Sequence, residues 1–238
     1  MKKQNLFLLI IFLLPMIAFS QVDPNKIFEP KFTHEIEAEL ETGKLRKGRA
    51  STYYSNIDEY EKSLINLDIP IIWQLDTMSK ENLKAFSKFQ PINAINYLSK
   101  RTENEQIVII SEAHQKPQHR IFTAKMLKSL YANGFRHLGI ETLSPDFTKT
   151  DSLQFMWDAE LNERGYALYK TRTGAYTLEP QMSNMIRIAH DLGFKLFAYE
   201  RISRDKDRDL QQALNIERYL KLHPNEKIVI PCGWYHAI

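Results

Sequence analysis

Four short apolar segments in the second half of the chain are each followed by a carboxylate or an imidazole. Their length and their Ile, Val, Leu and Phe content are typical of strands buried in a parallel sheet. The carboxyl ends of parallel strands lie along one edge of a sheet, where ligands bind, so we expect the polar side chains to converge there. The segments are 106–110, 136–140, 195–199 and 227–230, and the polar residues after them are Glu112 with His114, Glu141, Glu200 and His236.

Between these segments, apolar residues recur at helical spacing. The predicted helices lie within 121–131, 182–192 and 210–220. Gly134 and Gly193 follow the first two and can take the left-handed conformation that ends a helix, while Pro224 stops the third. Strands alternating with helices over short connections predict an α/β fold, with a mostly parallel sheet flanked by helices and an N-terminal helical extension.

The first twenty residues have the features of a signal peptide. Lys2 and Lys3 precede an apolar run that is short for a membrane span, and Ala18-Phe19-Ser20 supplies small residues at the positions a signal peptidase reads. We therefore expect residues 1–20 to be removed and the protein to be exported, periplasmic or secreted. No stable membrane insertion is expected after cleavage.

The remaining chain divides into a helical N-terminal region, 21–105, and an α/β core, 106–238. The first is rich in helix formers and carries no chemical motif, so we interpret it as packing on the sheet or covering its edge. Within the core, 144–179 interrupts the alternation and is interpreted either as a substrate-facing lid or as surface packing. The sequence stops two residues after His236, where a parallel sheet would need a covering helix, so a C-terminally truncated protein is expected.

Composition narrows the classes of function. The 32 basic and 29 acidic side chains give a net charge of +3, and two of the basic ones belong to the predicted signal peptide, so no electrostatic footprint for nucleic acid is expected. The single cysteine, Cys232, excludes an internal disulfide. A Gly-x-Ser-x-Gly elbow and a glycine-rich phosphate loop are both absent from the sequence.

The pair Glu112 and His114 has the most specific chemistry. Residues two apart on a strand point to the same side, and a carboxylate beside an imidazole holds its tautomer and raises its basicity. The same pair would also begin a metal site. Cys232, four residues before His236, suggests a thiol and imidazole couple, although a cysteine in an apolar strand is more often inert.

The polar motifs together resemble those of the erythromycin esterase, ChaN-like and Tiki/TraB superfamily. Its members carry an early Gly-Glu-x-His or Gly-x-x-His, a glutamate one strand later and a late Gly-x-x-His. The resemblance covers about 106–238 and departs from the family at Ser111, where glycine is usual at a tight turn. The corresponding motifs here are Ser111-Glu112-Ala113-His114, Glu141, Arg208-Asp209 at the start of a helix, and Gly233-Trp234-Tyr235-His236.

The resemblance implies roles for individual residues. His114 would be the general base or the first metal ligand, with Glu112 as its partner. Glu141 would be a second acid or ligand, and His236 the second imidazole, so that His114, Glu141 and His236 would hold any metal. The expected substrate-binding residues are Arg120 and Arg208, which would stabilise an oxyanion or bind a carboxylate, together with Glu200.

Three functions remain open at this point. The leading one is an exported hydrolase of ester or amide bonds in a small-molecule or peptide substrate, with or without a divalent metal ion such as zinc, manganese or cobalt. The alternative is a haem- or iron-binding protein of the ChaN-like type, with histidines or Tyr235 as axial ligands. The third is an exported structural module whose strand-end carboxylates are merely solvated.

Overall fold

The computed structural model describes residues 30–67, 78–143, 146, 156–168, 173–174, 176–200 and 207–237. The predicted signal peptide lies outside these residues, as do 144–145, 147–155, 169–172 and 175 of the predicted insert. The helices are α1 (Thr33–Glu41), α2 (Lys47–Asn56), α3 (Tyr60–Ile65), α4 (Lys80–Phe86), α5 (Ala94–Arg101), α6 (Pro117–Ala132), α7 (Leu161–Arg164), α8 (Pro180–Leu192) and α9 (Arg208–Leu222). The strands are β1 (Ile107–Glu112), β2 (Phe135–Ile140), β3 (Lys195–Ala198) and β4 (Lys227–Gly233), and a 3₁₀ helix, Trp234–Ala237, follows β4.

The four strands form one sheet in the order β1-β4-β2-β3, and every adjacent pair is parallel. This arrangement confirms the predicted α/β class. Because the last strand in sequence is inserted between the first two, the ends of β1 and β4 lie side by side, with Glu112 paired to Gly233. Residues distant in sequence are thus neighbours at the carboxyl edge.

Alternate residues along the strands enter two different apolar layers. On one face, Leu138, Leu196 and Val229 pack with buried residues of α6 and α8. On the other face, Phe197 and Ile230 pack with Tyr219 of α9. A strand that is buried on both faces carries apolar side chains on both, so its sequence is a continuous apolar run.

The helix ends follow the predicted signals. Gly193 directly follows α8 and Gly134 comes two residues after the end of α6, and both have φ of +91°, in the left-handed region. Each glycine lets the chain leave the helix and enter the next strand almost at once. These tight connections fix where β2 and β3 begin, and therefore where they deliver their polar ends.

The helices of the N-terminal region have a small core of their own. Ile36 of α1 is fully buried against Ala50, Tyr53 and Tyr54 of α2. Within the described part of the chain, no helix combines the length and apolar character needed to cross a membrane.

Candidate functional site

The carboxyl edge of the sheet collects the polar residues that follow the four strands. Glu112 is the last residue of β1, Glu141 directly follows β2, and Glu200 comes two residues after β3. His236 lies in the 3₁₀ helix that continues β4. The side chains form two clusters that meet at Gly233. The His114 cluster contains Glu112, His114, Arg120 and Glu179. The Arg208 cluster contains Glu141, Glu200, Arg208, Asp209 and His236.

The His114 cluster is built on Glu112. His114 Nδ1 lies 2.8 Å from Glu112 Oε1, so an Nδ1–H donated to the carboxylate leaves Nε2 as the free basic nitrogen. Arg120 donates to the same carboxylate from Nε, at 3.1 Å to each oxygen, and from its terminal nitrogen, at 2.7 Å. Glu112 is therefore held in one orientation and in turn orients the imidazole.

The charge state of Glu112 follows from its neighbours. Burial alone would raise the pKa of Glu112, but the hydrogen bond with His114 and the charge of Arg120 bring this pKa below its ordinary value. Glu112 is thus ionised at neutral pH although only 4% of it is exposed. An ionised partner stabilises the imidazolium that forms when His114 takes a proton.

Arg120 has a second carboxylate partner, Glu179, at the start of α8. Its other terminal nitrogen donates to Glu179 Oε2 at 2.8 Å, and the backbone N–H of Met182 donates to the same oxygen at 2.7 Å. Tyr60 Oη donates to Glu179 Oε1 at 2.5 Å. The side chain of Arg120 is only 1% exposed, so in this structure it orients Glu112 and does not face solvent where a substrate would bind.

The Arg208 cluster lies at the ends of β2 and β3. Arg208 at the start of α9 donates to Glu141 Oε1 at 2.6 Å and forms close hydrogen bonds with Glu200. Another Arg208 nitrogen lies 2.8 Å from His236 Nε2, and His236 Nδ1 lies 2.6 Å from Asp209 Oδ1. The hydrogen bond to Glu200 raises the pKa of Arg208 still further, so the guanidinium is always charged.

Gly233 brings the two clusters together. Its backbone N–H donates to Glu141 Oε2 at 2.7 Å. A Cβ at this position would lie 2.9 Å from His114 Nε2 and 3.3 Å from His236 Cδ2, so both imidazoles occupy space that only glycine leaves open. The free nitrogen of His114 and the ring of His236 therefore share the space above one residue.

A cavity of about 240 Å³ opens beside His114. The ring of Tyr176 stacks on the His114 ring with centroids 5.1 Å apart and planes 20° apart. The remaining wall comes mainly from α2, and most of its side chains carry hydroxyl or amide groups, with Leu67 as the apolar exception. His114 thus borders both Gly233 and this cavity.

The described residues do not fit a bound metal ion. His236 Nε2 and Glu141 Oε1, two of the three predicted ligands, both lie within hydrogen-bonding distance of the Arg208 guanidinium, whose positive charge opposes a cation. Among the residues that the structure describes, no group of three or more His, Cys, Asp or Glu is arranged to hold a metal. A cavity of about 240 Å³ is also smaller than the pockets of about 300–1,000 Å³ that hold drug-sized ligands, so a haem does not fit beside His114.

Two further side chains near the strand ends have structural surroundings that exclude a chemical role. Cys232 is buried, and burial raises the pKa of its thiol to about 11, so it is an inert thiol at neutral pH. His119, at the entrance of α6, accepts a hydrogen bond from the backbone N–H of Ala113 at 2.9 Å and is exposed. It caps the loop after β1.

The strand-end residues of this site are predictable from the sequence, whereas the residues that support them from α2, α3 and the start of α8 are not. The structure brings all seven predicted site residues to the same edge of the sheet, in two clusters. Tyr60 and Glu179 were missed, as was the wall formed by α2. Glu179 had a local signal, because it caps α8 directly before Pro180, but nothing in the sequence pairs it with Arg120 or with Tyr60.

Comparison with known proteins does not assign this chain to a family. No protein family profile matches the sequence. No curated protein matches it either. Among solved structures, "The structure of the type III effector HopBA1" aligns with a TM-score of 0.42 and 16% identity, over 60% of this chain and 74% of that one. A structure described as "Bacterial protein toxins" aligns with a TM-score of 0.45 and 13% identity, over 84% of this chain and 40% of that one.

Proposed function

We propose that this protein hydrolyses ester or amide bonds, with His114 as the general base. The observation that carries the proposal is the hydrogen bond between His114 Nδ1 and an ionised, buried Glu112, which leaves Nε2 free on an imidazole that lines a cavity. A carboxylate and imidazole arranged in this way are suited to take a proton from water.

The chemical steps need no other group than these side chains and water. His114 Nε2 accepts a proton from a water molecule while the water oxygen forms a bond to the substrate carbonyl carbon. The carbonyl oxygen takes the negative charge as the tetrahedral intermediate forms. When the bond to the leaving group breaks, the imidazolium returns its proton to the departing oxygen or nitrogen, and His114 is neutral again.

The Arg208 cluster supplies positive charge for the intermediate. The Arg208 side chain is 37% exposed, unlike that of Arg120, and lies against His236, whose ring shares the space above Gly233 with His114. A fixed guanidinium near the developing oxyanion stabilises it in a partly dehydrated site. Glu141, Glu200 and Asp209 hold Arg208 and His236 in place and act as positioning residues.

Export and the resemblance to the erythromycin esterase, ChaN-like and Tiki/TraB superfamily belong to the same proposal. An exported hydrolase would meet its substrate outside the cytoplasm, and the predicted signal peptide supports this location. The small volume of the cavity and the charged Arg208 favour hydrolysis over haem or iron binding. An ionised carboxylate that is 4% exposed, with a dedicated arginine, argues against solvated strand ends in a structural module.

The test is the variant His114→Ala, assayed against a panel of chromogenic esters and short peptides. Because general bases contribute about 10²- to 10⁴-fold, we expect kcat/KM to fall by at least about 100-fold with an unchanged circular dichroism spectrum. His34→Ala, which removes an exposed histidine in α1, is the matched control and should keep full activity. Equal activity of both variants would contradict the proposal.

A second experiment tests the alternative in which a metal ion carries the reaction. After dialysis against a strong chelator, the wild-type protein should retain its turnover, since Arg208 occupies the position between the predicted ligands. Loss of activity together with a stoichiometric metal, measured by elemental analysis, would show that the His and Glu mechanism is wrong and that a metal carries the reaction.

A further inference from the structure

We infer that the helical N-terminal region forms a substrate pocket for an uncharged group carrying hydroxyl or amide functions, attached next to the bond that is cleaved. The inference rests on the proposed function and adds the chemical class of the substrate. Its basis is the cavity beside His114, which is lined on one side by residues from 47–67. Neither the strand-end motifs nor the resemblance predicts that this part of the chain contacts the site.

The cavity lies between two parts of the chain that are distant in sequence. His114, Gln115 and Tyr176 line it from the α/β core, and α2 with Ser63 of α3 and Leu67 lines it from the other side. The two sides are joined by the hydrogen bond from Tyr60 to Glu179, which itself binds Arg120. The N-terminal helices are therefore fixed against the site by the same residues that orient Glu112.

The sequence of α2 explains why its wall is polar. Ala50, Tyr53 and Tyr54 occupy the face of the helix that packs in the N-terminal core. The opposite face carries residues at helical spacing from Gly48 to Asn56, and these line the cavity. They are Gly48, Ser51, Thr52, Ser55 and Asn56.

The chemistry of the lining selects the ligand. Hydroxyl and amide side chains both donate and accept hydrogen bonds, which suits a neutral polar group. Apart from the imidazole of His114, the described lining includes no ionisable acid or base other than the Tyr176 phenol, whose pKa is raised by burial, so the phenol stays neutral. A charged substituent would lose its hydration without gaining a counter-ion, so it should be excluded.

The size of the cavity sets a limit on that group. Pockets for drug-sized ligands have about 300–1,000 Å³, so a cavity of about 240 Å³ suits a smaller group. A sugar ring or an acylated amino acid of one residue fits this volume, whereas a macrocycle or a long peptide would have to extend beyond it. The pocket thus recognises one unit of a substrate.

The experiment compares p-nitrophenyl esters that share a leaving group. N-acetylglycine p-nitrophenyl ester carries an amide, p-nitrophenyl pentanoate has an apolar acyl chain of the same length, and p-nitrophenyl succinate carries a carboxylate. We expect kcat/KM for the amide-containing ester to exceed that for the other two by about tenfold or more. Thr52→Val and Asn56→Leu should each remove about three- to tenfold of that preference, the size of one hydrogen bond.

Controls separate the pocket from the catalytic site. Asn82→Leu makes the same change on the exposed helix α4 and should preserve the preference. Turnover of the pentanoate ester should be unchanged in Asn82→Leu but lost in His114→Ala. Activity that depends on His114 with no preference among the three esters would overturn the pocket and leave the hydrolase proposal standing.

A binding measurement tests for the substrate pocket even if no ester is hydrolysed. N-acetylglycinamide titrated into the wild-type protein should cause saturable NMR shift changes at the backbone amides of residues 51–56, weakened in Asn56→Leu and kept in Asn82→Leu. Absence of saturable changes in α2 would overturn the pocket. Their presence without any ester hydrolysis would leave the pocket standing and contradict the proposed reaction.

Discussion

At the scale of single residues, His137 shows a buried imidazole with no part in the proposed chemistry. It lies on β2, is 2% exposed, and its Nδ1 is 2.5 Å from the hydroxyl of Tyr219. Burial lowers the pKa of His137 below its ordinary 6.5, and the nearby His223 and Lys195 lower it further, against the opposite effect of Glu226. The folded protein therefore holds a neutral imidazole at a pH where the unfolded chain binds a proton.

This difference predicts acid sensitivity with a definite sign. Because the folded-state pKa of His137 is lower, its contribution to stability is complete above about pH 6.5 and is lost as the pH falls toward the folded-state value. The melting temperature should decrease from pH 7 to pH 5. In His137→Asn, which cannot titrate, that decrease should be smaller, and an equally steep profile in the variant would contradict the assignment.

The same scale shows what individual residues reveal in the sequence. Glu112, His114 and Glu141 can be predicted from the sequence because each lies at or just after the end of an apolar strand segment. The local hydrophobic pattern shows where such a segment ends. The sequence has no such signal for His137, because the hydroxyl that contacts it belongs to Tyr219, which is 82 residues away in the chain. A contact made by packing has no signal in the local pattern of either partner.

At the scale of elements, β1 and β4 show how position in the sheet decides burial. Ile109 and Ile230 are paired neighbours and point to the same face, yet Ile109 is 55% exposed and Ile230 is 2% exposed. Ile230 packs with Tyr219 of α9, whereas β1 is an edge strand and contributes no residue to that layer. The apolar runs predict both strands equally well, but the hydrophobic pattern alone does not show which strand lies at the edge.

The pair gives a matched test of that arrangement. Ile230→Ala leaves a cavity in a closed layer and should lower the free energy of unfolding by about 2–5 kcal/mol. Ile109→Ala removes the same atoms from a partly solvated position and should cost less than about 1 kcal/mol. Urea unfolding followed by fluorescence measures both. Similar costs for the two variants would mean that Ile109 is covered in solution.

At the scale of the whole molecule, the N-terminal helices and the α/β core work as one unit. The sequence suggested a helical region without chemistry, because no residue in 21–105 stands at a strand end. The structure instead joins Tyr60 of α3 to Glu179 of α8, 119 residues further on, and Glu179 to the Arg120 that holds Glu112. Burial, and then the hydrogen bond to Glu179, raises the pKa of Tyr60, so its hydroxyl stays protonated and donates.

This connection predicts that a change in α3 alters catalysis at His114. Tyr60→Phe removes a hydrogen bond to a carboxylate, worth about 1.5–3 kcal/mol, and should lower both stability and kcat/KM. Tyr97→Phe, on the exposed side of α5, is the matched control and should change neither. Loss of stability in Tyr60→Phe with kcat/KM unchanged for every ester would show that the helices support the fold without positioning Glu112.

A double-mutant cycle shows whether the effect travels through Glu179. Glu179→Gln leaves Arg120 with one carboxylate and should be destabilising, because a buried guanidinium loses part of its compensation. If Tyr60 acts on the site through Glu179, the second substitution should add little to the first, with a coupling free energy of about 0.5–3 kcal/mol in kcat/KM and in stability alike. Additive effects would mean that Tyr60 acts elsewhere. Coupling in both measurements would show that the region without a motif helps to set the geometry of the general base.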